Sequence, residues 1–145
     1  MGDTAHPAGE PGPRLLQERT LLGIFVHLLG LPFGALATGV VYLVTDHEFT
    51  EQNARNATNW HLFVFSLWVA VFGLFGVAAV LDLVAPDIVL LPLLLVLVAL
   101  VFAAALLVLA TFVFILVATG KAIFGTAWEY PLAPDLVAWL GERFG

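Results

Sequence analysis

Cysteine is absent from all 145 residues, which excludes disulfides, thiolate metal sites and thiol nucleophiles. Basic residues are scarce: five Lys and Arg stand against 11 Asp and Glu, a formal net charge of −6. Without a basic face the chain has no footprint for nucleic acid. Charged residues make up only 11% of the sequence, where a soluble domain carries about 25%. With 61% hydrophobic residues and a mean hydropathy of +1.03, so short a chain cannot wrap its apolar residues in a wetted surface. Lipid is its solvent. The acidic excess on its few polar segments suits a salty cytoplasm, where carboxylates hold hydration.

The apolar residues fall into long runs. Residues 21–44, 60–84 and 88–119 each reach the roughly 20 residues needed to cross about 30 Å of hydrocarbon. Ala85-Pro86-Asp87 reads as the turn between the second and third, because proline cannot continue the helix before it. The third run exceeds the need, which predicts tilt or a start near Pro92. Residues 1–20, rich in Gly, Pro and charge, read as a disordered polar tail. Residues 133–145 read as an amphipathic tail whose Leu136, Val137, Leu140 and Phe144 recur at helical spacing. The expected fold is an all-α integral membrane protein of three transmembrane helices plus a short C-terminal interfacial helix. With three crossings, the loop 45–59 and the C-terminus emerge on one face and the N-terminal tail on the other. That first face also receives Tyr42, Trp60, Trp128 and Tyr130, expected as an aromatic belt.

Within the first run, Gly23, His27, Gly30 and Gly34 share one helical face and read as a helix-packing surface, with Gly30 and Gly34 forming a GxxxG pair. His27 is read as a structural hydrogen-bonder among them rather than a proton relay. Asp82, costing about 2.5–3.5 kcal/mol at a helix centre, lies near enough to its helix end to reach interface water. Residues 50–61 (TEQNARNATNWH) continue the second helix into water, with Gln52, Asn56 and Asn59 along one face. Solvation explains them on spacing alone. In residues 121–132 (KAIFGTAWEYPL), Lys121 complements the negative end of the third helix and Gly125 permits a turn. No Ser-His-Asp set, paired carboxylates, HExxH or phosphate-binding glycine loop occurs. The expectation is a non-enzymatic protein without metal or cofactor.

Glu18-Arg19 followed by Val26-His27-Leu28-Leu29 resembles the "ER…LAHLS" opening of a prokaryotic membrane family of unknown function. That family belongs to the Tic-twenty-like group, related to a chloroplast inner-envelope import component. Residues 49–61 (FTEQNARNATNWH) resemble its central "FVRxHAxxALNFQ", and Lys121-Ala122, Gly125 and Tyr130-Pro131-Leu132 its closing "KAxxGxxxxYPL". Asn53, Glu51 and His61 depart from it where it has His, Arg and Gln, which removes basic charge. The resemblance implies a Tic-twenty-like transmembrane domain over 21–132, with loop 45–59 and the C-terminus cytoplasmic in a multi-pass plasma-membrane protein. It also implies an accessory role in protein translocation, insertion or membrane-complex assembly. An oligomeric solute or ion pathway around His27, or a structural subunit of a larger complex, are the alternatives. Candidate partner-contact residues are Phe49, Asn53, Arg55, Asn56, Asn59, Trp60, His61, Lys121, Gly125, Tyr130 and Pro131. The expected partners are the bilayer and other membrane proteins or a second copy, with no nucleic acid.

Overall fold

The computed structural model of the chain describes residues 19–84 and 86–144. The expected N-terminal tail lies outside the described residues except for Arg19 and Thr20. All regular structure among them is helical: α1 (Leu21–Val44), α2 (Glu48–Asp82), α3 (Asp87–Ile123) and α4 (Leu136–Phe144). Three of these, α1 to α3, are long and apolar enough to cross a membrane, and α4 is the short C-terminal helix. The chain is a multi-pass membrane protein. By packing it divides into one unit of Met1–Phe63 with Phe112–Gly145 and a second of Val64–Thr111.

In the first unit, α1 is bent rather than straight. Pro32 lacks the N–H that would bond to the Leu28 carbonyl, and two residues on Gly34 takes φ 57° and ψ −140°, backbone space that only glycine enters cheaply. The bend turns α1 back along α2. In the first arm, Thr20 Oγ1 lies 2.5 Å from Thr50 Oγ1 and His27 Nε2 lies 2.9 Å from Asn53 Oδ1. In the returning arm, the Thr38 and Thr58 hydroxyls meet at 3.0 Å. Val26 and Val41, one from each arm, share a core cluster with Ala54. Residues 21–33 and 35–44 span about 20 Å and 15 Å at helical rise, each short of roughly 30 Å of hydrocarbon. Both ends of α1 therefore come to the same end of this unit, where Arg19 also donates to the Ile123 carbonyl at 2.5 Å. The expected span 21–44 is a helix bent at Gly34, with both arms packed on α2.

The polar stretch expected as loop 45–59 is mostly helix. Only residues 45–47 separate α1 from α2, whose 35 residues begin at Glu48. Likewise α3 starts at Asp87 and runs through Pro92 for 37 residues. At helical rise that is about 55 Å, well beyond the hydrocarbon core. The second unit holds residues 64–82 of α2, the turn, and the start of α3. Its buried residues, Val71 and Ala78 on α2 and Leu90, Leu97 and Ala104 on α3, recur every seven positions. That interval marks two helices meeting along one seam. Many of the other large apolar side chains, among them Phe72, Phe75, Leu95 and Phe102, are exposed, as a lipid-facing surface requires.

Candidate functional site

The chemistry of the chain gathers in the first unit, where the first four turns of α2 lie between α1 and the segment after α3. Glycine on α1 admits rings from α2. A Cβ on Gly23 would stand 2.6 Å from the Phe49 ring, and one on Gly30 would overlap the His61 imidazole. Gly34, by contrast, faces open space and serves the bend instead of packing.

Between those two glycines sits His27, fully buried. Its hydrogen bonds determine its tautomer. Asn53 donates its side-chain N–H to the Phe49 carbonyl at 2.8 Å, so the Asn53 oxygen must face His27 and accept. The ring nitrogen there, Nε2, carries the hydrogen. Nδ1 of the neutral ring is then an acceptor, and the Tyr130 hydroxyl donates to it at 3.0 Å. Both ring nitrogens are satisfied, as a buried imidazole requires. His61 differs: its Nε2 is buried with no hydrogen-bond partner.

Tyr130 reaches this position through two turns. Gly125, at φ 77°, ends α3 in a Schellman arrangement: Thr126 N–H donates to the Lys121 carbonyl and Gly125 N–H to that of Ala122, each at 3.0 Å. After Pro131, Leu132 takes φ 71° and Ala133 N–H closes back on the Tyr130 carbonyl at 3.3 Å. Leucine at a position that favours glycine is strained, and its side chain is exposed. Tyr130 itself, buried to 3% exposure, has its hydroxyl pKa pushed up by burial. Its ring stacks on Trp60 at 5.4 Å with 16° between planes. Trp128, 5.3 Å away, and Phe114, 6.3 Å away, complete the cluster.

The amides of α2 hold the rest of the tail. Asn56 donates to the Ala127 and Trp128 carbonyls at 3.4 and 3.2 Å. Asn59 accepts from the Val137 N–H at 2.8 Å and donates to Asp135 at 3.0 Å. Asp135 caps α4 by accepting from Ala138 N–H at 3.1 Å, and Arg55 pairs with its other oxygen. Partial burial opposes ionisation of Asp135, but the bonds from Ala138, Asn59 and Arg55 outweigh it and hold the carboxyl below its ordinary range.

Of the candidate contact residues, Phe49, Asn53, Asn56, Asn59, Trp60, His61 and Tyr130 are thus buried, and Gly125 with them. Arg55 is part-exposed, and Lys121 and Pro131 are exposed. The aromatic belt expected of Trp60 and Tyr130 is an interior cluster. Asp135 and Phe114 were not singled out from sequence. Asp135, one residue ahead of the amphipathic Leu136, carried the helix-start signal that would have found it. Phe114, inside an unbroken apolar run, carried none. Among the described residues, no three His, Asp or Glu side chains come together to hold a metal ion.

The pattern of the magnetosome magnetite crystal formation protein family, MamF/MmsF, matches residues 18–137. The chain belongs to that family. No curated protein and no solved structure matches the chain. MamF/MmsF membership overturns the Tic-twenty-like resemblance, which rested on three short motifs of a few letters each, while the family match covers 18–137 continuously. The translocation role goes with that resemblance, and so does the cytoplasmic orientation drawn from it. In this MamF/MmsF chain the motif residues are the ones that tie α1, α2 and the tail together.

Proposed function

We propose that this protein is a non-enzymatic membrane subunit that helps assemble protein complexes in the magnetosome membrane, the membrane around forming magnetite. Family membership supports the setting. The observation that supports the assembly role is how the polar residues are spent. Asn53, Asn56, Asn59 and Asp135 bond to their own chain, so they build a fixed surface rather than lining a reaction cleft. What that surface offers to water is Glu51, Lys121, Glu129 and Pro131, all exposed.

In-membrane crosslinking from a photoreactive residue at Lys121 or Glu129 tests this reading. Discrete adducts to other membrane proteins are the expected result. Adducts to lipid alone from both positions would overturn it.

A further inference from the structure

Tyr130 and His27 together have the form of a proton-coupled redox pair, a function that does not depend on the assembly role. A phenol loses an electron readily only when its proton can leave at the same moment, because the oxidised phenol is a very strong acid. That requires a base already hydrogen-bonded to the hydroxyl. Here the base is fixed by the network: Asn53 commits Nε2 of His27 to donate, which leaves the Nδ1 lone pair facing the Tyr130 hydroxyl at 3.0 Å.

The aromatic cluster supplies a route to the surface. Trp128 is half-buried and Tyr130 buried, with ring centres 5.3 Å apart. Trp60, fully buried, also stacks on Tyr130, at 5.4 Å. Indole is the other side chain that gives up single electrons to strong oxidants. Trp128 and Tyr130, with ring centres 5.3 Å apart, form a path from the half-buried Trp128 to a phenol with its own base.

We infer that Tyr130 is a reversible one-electron donor, with His27 as its proton acceptor and Trp128 as the surface entry point. The oxidant is a strong one-electron oxidant of the class that ferrous iron and peroxide generate. Trp128 passes one electron to that oxidant and is refilled by Tyr130. The Tyr130 O–H proton moves to His27 Nδ1, giving a neutral tyrosyl radical beside an imidazolium. One electron leaves, one O–H bond breaks and one N–H bond forms. Asn53 keeps the Nε2 hydrogen throughout, and the new Nδ1–H bonds to the phenoxyl oxygen. An electron from an external one-electron reductant returns the proton to Tyr130. In a family tied to magnetite, such a pair would draw oxidising equivalents away from the rest of the chain.

The chain has two tyrosines, so Tyr42→Phe leaves Tyr130 alone. In the full-length Tyr42→Phe protein in detergent, a photo-oxidised ruthenium polypyridyl complex in the water phase serves as oxidant. Paramagnetic resonance is expected to show a neutral tyrosyl radical coupled to an imidazole nitrogen, forming more slowly in deuterium oxide. Adding Tyr130→Phe should abolish it and leave only tryptophanyl radicals, and His27→Leu should suppress it likewise. Should His27→Leu fail to fold, the nitrogen coupling in the Tyr42→Phe protein decides alone. Tryptophanyl radicals only, or a tyrosyl radical with no imidazole coupling, would overturn the inference.

Discussion

Asn53 holds more of the site than any other single side chain. Its N–H is tied to the Phe49 carbonyl within α2, and its oxygen bridges α2 to α1 by accepting from His27, and through His27 to Tyr130. Asn53→Ala would leave the His27 Nε2–H buried without a partner, and an unsatisfied buried donor costs about 1–3 kcal/mol. Loss of that order is expected in a reversible unfolding titration in detergent. An unchanged midpoint would mean that His27 had found another acceptor. The fully buried Asn53 also marks a limit of reading residue types. An amide on a helix beyond the apolar run looks solvated, and nothing in its spacing distinguishes a face turned to water from one turned to an imidazole.

At the scale of elements, the bend in α1 and the cap of α4 each rest on one residue. Gly34→Ala adds a Cβ that meets no atom, yet it forces a side chain onto φ 57°. A stability loss of about 1–3 kcal/mol is expected from that strain. Gly73→Ala, where a Cβ also meets open space and no positive φ occurs, should be neutral or favourable by up to about 1 kcal/mol. Equal effects at the two positions would rule out the bend. For α4, the lowered pKa of Asp135 sets the sign of a pH dependence. A carboxyl whose folded pKa is depressed stabilises fully above its unfolded value and loses that contribution as pH falls through the folded one. Amide exchange in α4 should therefore accelerate as pH drops below the ordinary carboxylate range, after correction for intrinsic exchange. Asp135→Asn should remove that dependence.

Across the whole molecule, topology is testable because no native cysteine interferes. Single cysteines at Arg19, His47 and Glu142 should all label from one side of the membrane, and one at Asp87 from the other. Labelling of Arg19→Cys from the Asp87 side would mean that α1 crosses as a straight rod.

Much of this plan was legible beforehand. The membrane class, the apolar runs and the turn at Pro86 follow from composition and length, because an apolar run of about 20 residues has no soluble alternative to burial in lipid. Gly125 and Lys121 announced the end of α3 through their own backbone and charge. The fold-back of α1 was half visible. Leu31-Pro32-Phe33-Gly34 carries turn chemistry, but glycine inside an apolar run equally suits close helix packing, and only the contacts of Thr38 and Val41 with α2 decide between them. The seam of the second unit left no trace, since every position around it is apolar and no periodicity separates the buried from the lipid-facing. Sequence alone determined that this chain lives in a membrane as helices, because that choice depends on composition summed over a segment. Tertiary structure alone decided which polar residues are interior, because that depends on which partner each meets across 26 to 103 positions of chain.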